Sequence, residues 1–491
     1  VPDVVIAFAR TWLKRAAFAA ALVLFTILAV RAFDAWRAPP LGLWHREVPR
    51  ELDADAIEAA DWSAWLAAEK QAFDDVRTRV TDKLPGADRV AANRFYAASP
   101  MNAAQRAFDW NRSYVLMPEG ALRGAVVLLH GLTDSPYSLR HIASHYRSRG
   151  FVAVGMRMPG HGTVPSGLTR VRWEDWMAAT RLAVRHARSL AGENVPLHVV
   201  GYSNGGALAL KYSLESLDDD RLAKPDQLVL ISPMVGITSF ARFAGVLGWP
   251  AVFPGFAKAA WLDTLPEYNP FKYNSFPVNA ARQSSQLVDA VQDKLLKRVA
   301  NGEMAHFPRV LAFQSVLDFT VFTSALVDNL FAVLPENGSE LVLFDRNRGA
   351  DAGPLVRVDS DAALAAMTRP GKRAYAITIV GGAEAGSVAR GLEAGAMAFS
   401  EAPLAQTYPH DLYSLSHVAL PFPVTDGLYG TQPDPAEDFG VRLGTVAVRG
   451  ERGALVVSAD TLMRASCNPF FGYLLERIDR TLKKGSDLLD E

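Results

Sequence analysis

Apolar residues recur along this chain in two rhythms, and the change from one to the other divides it. Across 52–80, a segment rich in Ala, Asp and Glu, residues Ile57, Trp62, Trp65, Leu66, Phe73 and Val76 fall near helical spacing. That spacing predicts a helix or a pair of helices with one apolar stripe, suited to packing on a neighbouring domain rather than to lipid contact. From Asn111 the pattern changes. Short apolar runs at 113–117, 125–129, 151–156, 227–231, 309–315 and 340–344, together with 197–200, are bounded by Gly, Pro and polar clusters. Runs of that length suit strands buried on both faces. Between them, 137–149, 173–190 and 207–214 carry helical periodicity. Gly150 is placed to close the first of these in a left-handed conformation, and Trp173, Trp176, Met177 and Val184 form the apolar side of the second. Regular alternation of strand and helix predicts a parallel sheet wound with right-handed crossovers.

The alternation fails in two places. Between Pro233 and Pro308 the chain carries Phe240, Phe243, Trp249, Phe253, Phe256, Trp261, Tyr268, Phe271, Tyr273 and Phe276 among many Gly and Pro residues. Insertions at this point of an α/β sheet sit above the strand C-termini, so a lid is expected over about 234–308, its aromatics divided between the pocket mouth and attachment to the body. A second interruption, about 346–405, is longer than a compact sheet domain needs. Within it 374–380 is predicted as an additional strand. The glycines at 381, 382 and 386 lack the Gly-x-Gly-x-x-Gly spacing and its acidic partner, which argues against a nucleotide loop. The run 468–482 is a closing amphipathic helix.

Nearest the amino end, 16–30 is apolar or small throughout, interrupted only by Thr26 and preceded by Arg10, Lys14 and Arg15. This is the signature of an uncleaved signal-anchor, with a cleaved signal peptide and a buried helix as alternatives. The basic flank places the preceding end in the cytoplasm and the main domain in the periplasm of a bacterial inner membrane, or outside the cell. Composition narrows the rest. The 491 residues hold 51 Lys and Arg against 52 Asp and Glu, a net charge of −1; with no long basic block, nucleic acid is excluded as a partner. The single cysteine, Cys467, rules out an internal disulfide and reads as a small buried apolar residue.

Candidate chemistry lies at the ends of the predicted strands. Gly201-Tyr202-Ser203-Asn204-Gly205 joins a strand to a helix through a turn so tight that the positions flanking the serine must lack side-chain bulk. Ser203 is thereby a candidate nucleophile, with the Asn204 backbone N–H as one oxyanion donor. His130-Gly131-Leu132 follows another strand and offers the Leu132 backbone N–H as a second donor, while His130 itself orders the loop. His161, in the Pro-Gly-His-Gly loop 159–162, has no ligand partner at metal spacing and is read as structural. A triad acid belongs just past a strand end. Asp318 fits better than Asp328 or Asp345, although it also suits an N-cap for a helix over 321–333. The base comes last in chain order, and His417 in Leu415-Ser416-His417-Val418 is preferred to His410.

Taken together, residues 128–131, 159–163, 201–206, 315–321 and 416–418 resemble the motifs of the α/β-hydrolases of the serine aminopeptidase (S33) and monoacylglycerol-lipase-like group. The resemblance covers roughly 111–419. It implies an α/β-hydrolase fold, with a mostly parallel central sheet, helices on both faces and a helical lid insertion, here joined to an N-terminal membrane-anchor helix. It also implies Ser203, Asp318 and His417 as a catalytic triad, Leu132 and Asn204 as the oxyanion hole, Gly201 and Gly205 as the nucleophile elbow, and neither metal nor cofactor. The organisation expected is an anchor at 1–38, a helical extension at 39–110 and a catalytic domain at 111–491. The activity expected is hydrolysis of small acyl or lipid-like carboxylic esters through an acyl-enzyme. Alternatives are a small-peptide or aminoacyl peptidase of the same fold, and an inactive membrane-tethered binding protein. The sequence carries no signal for oligomeric state.

Overall fold

In the computed structural model, residues 2–37, 40–236, 254–318, 323–348, 364–365, 367–368, 373–383, 386–409, 412–446, 464 and 466–486 are described. The strands are β1 (Tyr114–Leu116), β2 (Gly124–Leu129), β3 (Phe151–Met156), β4 (Leu197–Tyr202), β5 (Gln227–Ile231), β6 (Trp261–Asp263), β7 (Phe276–Pro277), β8 (Arg309–Ser315), β9 (Glu340–Asn347), β10 (Ala376–Ala383), β11 (Gly386–Leu392) and β12 (Ser400–Pro403). Ten of them form one sheet in the order β1-β3-β2-β4-β5-β8-β9-β10-β11-β12, and β6 pairs with β7 apart from it. From β3 through β10 every neighbouring pair is parallel. Antiparallel strands close the edges, β1 on one side and β11 and β12 on the other.

Every residue of β2, β3, β4 and β5 is buried, which is why their sequences read as continuous apolar runs rather than alternating ones. Successive side chains still point to opposite faces. Val127, Leu129 and Val199 enter a core with Trp176 and Leu208, whereas Val126, Leu128 and Val200 enter a second core with Ile142 and Leu474. Helices therefore cover both faces. The chain passes from β2 to β3 on one side and returns to place β4 on the other side of β2. This reversal opens a crevice at the C-terminal ends of β2 and β4, where the loops beginning at His130 and Ser203 diverge.

The helices Ala54–Ala59 and Trp62–Arg79 start at Asp53 and Asp61, whose carboxylates accept from the N–H of Ala56 at 3.0 Å and of Ala64 at 2.8 Å. They bury Ile57, Trp65 and Ala72. Ion pairing fastens them at the end of β3. The fully buried Arg157 donates from Nε to Glu69 at 2.9 Å and from Nη1 and Nη2 to the two Glu51 oxygens at 2.8 and 3.0 Å. Trp65 Nε1 adds a 3.0 Å hydrogen bond to Ser113 Oγ.

Four features differ from the sequence expectation or extend it. The segment expected as a lid includes a 24-residue helix, Val278–Asn301, with one face buried along the body through Leu287, Val288, Val291 and Leu295. Residues 237–253, with Phe240, Phe243, Trp249 and Phe253, lie outside the described residues. The extra segment continues the sheet: β10 pairs with β9, and Gly381, Gly382 and Gly386 belong to the β10–β11 hairpin rather than to a loop opening a helix. The helix expected over 321–333 is observed as Thr323–Asn329 followed by a 3₁₀ turn, Phe331–Val333. Near the amino end Pro2–Arg37 is one helix, in which Arg10–Val30 has a mean hydropathy of 2.0, no burial against the rest of the chain, and length enough to cross a membrane.

Candidate active site

Ser203 caps the helix Asn204–Ser216 with φ 53° and ψ −115°. Few non-glycine residues adopt positive φ, and holding one there costs about 1–3 kcal/mol. The surroundings impose it. Ser203 N donates to Ile231 O at 3.0 Å, while Ser203 O accepts from Gly206 N at 2.9 Å and Met234 N at 3.0 Å. Gly201 and Gly205 permit the turn, because a Cβ at 205 would lie 1.9 Å from Leu129 O and one at 201 would lie 2.5 Å from Gly205 O. The serine is 8% exposed and faces a cavity of about 440 Å³.

The loop after β2 forms the adjoining wall. A Cβ on Gly131 would sit 3.2 Å from Ser203 Cβ, so the backbone approaches the serine more closely than a larger residue comfortably permits. Leu132 and Thr133 line the cavity. Thr133 is also left-handed, with φ 63°, and its carbonyl accepts from Tyr273 N at 2.8 Å. The Leu132 amide donates to no acceptor among the described residues. Asn204 begins its helix, where the first amides lack intrahelical partners; its side-chain Oδ1 accepts from Ser284 Oγ at 2.7 Å. This contact ties the helix Val278–Asn301 to the elbow.

His417 lies in the turn after the extra segment and lines the same cavity as Ser203. Its Nδ1 is 3.7 Å from Asp318 Oδ1. That is an ion-pair separation rather than a hydrogen bond, and a small imidazole rotation would close it. Gln314 Nε2 donates to the other Asp318 oxygen at 3.0 Å and holds the carboxylate in place. Burial first, then the charges of Lys272 and Arg464, bring the His417 imidazole down to about 3. The structure therefore brings Ser203, His417, Asp318, Leu132 and Asn204 to one rim of the sheet. His410 lies outside the described residues.

The other histidines of these loops are internal. His130 Nδ1 is 2.9 Å from Gly131 O, and its Nε2 accepts from Met158 N at 3.1 Å; burial lowers this imidazole to about 4. His161 Nδ1 lies 3.1 Å from Pro159 O, and its ring meets His130 edge to face at 5.0 Å. Among the described residues no group of three or more His, Cys, Asp or Glu side chains is arranged to hold a metal ion.

Sequence reading did not find Lys272, Arg464, Asn269, Asn274 or Tyr429, all of which line the cavity. For Lys272 a local signal existed: a single cation between Phe271 and Tyr273 in an aromatic stretch. Arg464 offered none.

The sequence profile of the family described as serine aminopeptidase, S33, matches residues 120–300. That span includes Ser203 and ends before Asp318 and His417. A thermostable monoacylglycerol lipase from Bacillus sp. (strain H-257) is 28% identical over 178 residues, 35% of this chain and 64% of the relative. The chain thus spans about 64% of the length of the curated relative it matches. Among solved structures, a soluble variant of monoglyceride lipase from Saccharomyces cerevisiae is 15% identical, covers 48% of this chain and 82% of its own, and superposes with a TM-score of 0.39. One of the metagenome-derived lipolytic enzymes LipS and LipT is 18% identical over 48% of this chain and 89% of its own, with a TM-score of 0.38.

Proposed function

We propose that this chain, an α/β-hydrolase of the serine aminopeptidase (S33)-like group, hydrolyses carboxylic esters through an acyl-enzyme on Ser203. In the first half-reaction His417 takes the Ser203 proton as Oγ bonds to the ester carbonyl carbon. The carbonyl oxygen becomes an oxyanion facing the Leu132 and Asn204 amides. Collapse breaks the bond to the leaving oxygen, which takes the proton from His417 and departs as an alcohol. Water repeats the sequence on the acyl-enzyme, giving up its proton to His417, and a carboxylic acid is released with Ser203 restored. Asp318 orients the imidazole and stabilises its protonated form. The observation that carries the reading is the forced left-handed geometry of Ser203 in a cavity shared with His417, with Asp318 behind that ring.

The rest of the chain takes supporting roles in this reading. The helix Pro2–Arg37 anchors the protein in a bacterial inner membrane, which places the catalytic domain in the periplasm next to acyl lipids. Within the segment expected as a lid, the described residues Tyr268, Tyr273 and Phe276 line the cavity and act as part of a cover over the crevice, with the helix Val278–Asn301 as its fixed base. A fluorophosphonate probe tests the chemistry: the wild-type chain should be labelled at Ser203 and should hydrolyse short p-nitrophenyl esters. Ser203→Ala should abolish labelling and lower turnover by at least about a thousandfold. Unlabelled wild-type protein with native circular dichroism would favour a tethered binding protein, and faster turnover of aminoacyl arylamides than of esters would favour a peptidase.

A further inference from the structure

Tyr429 and Asn269 line the cavity that Ser203 and His417 share. The Asn269 side chain has one orientation open to it. Its Oδ1 accepts from the backbone N–H of Phe271 at 3.0 Å and of Lys272 at 3.2 Å, so its amide nitrogen faces Tyr429 and donates to Tyr429 Oη at 2.7 Å. An amide NH2 cannot accept, and the phenol is therefore the acceptor in that contact. Its own proton must point elsewhere. Among the described residues it meets no acceptor, although Tyr429 is only 3% exposed. A buried donor left unmet is unfavourable, and in a cavity the partner that remains is water or substrate. The ring is held for this role: Tyr429 N donates to Asp426 Oδ1 at 2.7 Å, that carboxylate pairs with the buried Arg140, and Phe422 packs with its ring centroid 4.4 Å away. Burial first, then the charge of Asp134, raises the Tyr429 hydroxyl well above its ordinary value. It stays a neutral donor, and the same negative field disfavours an anionic acceptor.

We propose that the Tyr429 hydroxyl, fixed by Asn269, is a specificity-determining donor to an uncharged ether or carbonyl oxygen that the substrate carries away from its scissile carbonyl. This inference rests on the ester-hydrolase reading above and narrows its substrate class to esters bearing such an oxygen. An ester with a methylene at that point displaces water from the hydroxyl and offers no acceptor in return, so the donor is left unmet in the complex. An ester with an oxygen there replaces the water bond by its own. Discrimination of this kind comes from the unpaired group in the wrong complex rather than from added contact in the right one.

The test uses the full chain and esters of equal length in which an ether oxygen replaces a methylene. On the acyl side, p-nitrophenyl 4-ethoxybutanoate and p-nitrophenyl 5-methoxypentanoate are each compared with p-nitrophenyl heptanoate. On the alcohol side, 2-butoxyethyl butyrate and 4-ethoxybutyl butyrate are each compared with heptyl butyrate. The ratio of kcat/KM for the ether ester over its all-carbon partner should fall by about threefold or more in Tyr429→Phe for at least one pair. A purely structural change would act on both esters of a pair alike and leave the ratio where it was. The side of the ester on which the fall is larger locates the oxygen. A smaller change than about threefold in every pair overturns the proposal. So does loss of fluorophosphonate labelling in Tyr429→Phe when the wild-type chain is labelled, because the hydroxyl would then serve to assemble the site rather than to read the substrate. Labelling of the wild-type chain without turnover of any of these esters overturns it too, leaving the hydrolase reading intact. Absence of both labelling and turnover in the wild-type chain removes the hydrolase reading and the subsite with it.

Discussion

At the scale of single residues, His417, the proposed base, sets the first expectation. Because burial and two neighbouring cations hold His417 down to about 3, its free imidazole is present at every higher pH and is lost only as pH falls through that value. For a neutral p-nitrophenyl ester, kcat/KM should stay within about twofold between about pH 7.5 and about pH 5.5. An imidazole at its ordinary pKa of about 6.5 would instead lose about tenfold over that range. A tenfold decline would show that the Asp318 contact outweighs burial. Residue chemistry was legible in the sequence wherever sterics act locally: Gly201 and Gly205 are demanded by atoms within a few residues or on the adjacent strand. Lys272 and Arg464 escaped notice because the wall they share is built only when distant segments fold together.

Among the elements, the paired helices ahead of the sheet are fastened by charge. Arg157 is fully buried between Glu51 and Glu69, so Arg157→Met leaves buried carboxylate without its partner and should cost about 3–5 kcal/mol in urea denaturation. Arg147 pairs with Glu119 at 3.4 Å on the exposed surface, and Arg147→Met should cost less than about 1 kcal/mol. Similar losses in both variants would mean that the buried network does not hold the extension to the sheet. Strands were the readable elements, since β3, β5 and β8 carry the apolar stretches Phe151–Val154, Leu228–Ile231 and Val310–Phe313. The helix Val278–Asn301 was not recognised because much of its buried face is Ala280, Ala281, Gln283, Ser284 and Ser285, which give little apolar periodicity although they pack closely. The β11 and β12 edge was equally hidden: Ser400–Pro403 is exposed along its whole length, so no burial pattern marks it.

For the whole molecule, buried histidines set the response to acid. Burial brings His45 and His130 to about 4, His198 and His417 to about 3, and His161 well below its ordinary value. Below about pH 6.5 the unfolded chain binds protons at these sites and the folded chain does not, so each site removes up to about 1.4 kcal/mol of stability per pH unit. The contribution is complete above about pH 6.5 and is lost as pH falls toward the folded values. Asp134, raised to about 6, and Glu267, also raised, act in the opposite sense and offset part of it. The urea midpoint should therefore fall steadily between about pH 7 and about pH 5; a midpoint that holds or rises would contradict the neutral state of these rings. The same folding that buries them draws Ser203, Asp318 and His417 from three remote segments to one rim, and on that convergence the functional account depends. The most direct measurement is p-nitrophenyl ester hydrolysis by Ser203→Ala, by His417→Ala and by the variant that combines both with Asp318→Asn. If the three side chains act as one unit, Ser203→Ala alone should lose as much activity as the triple variant, to within about threefold. Retention of wild-type turnover in Ser203→Ala, or losses that multiply from one substitution to the next, would contradict it.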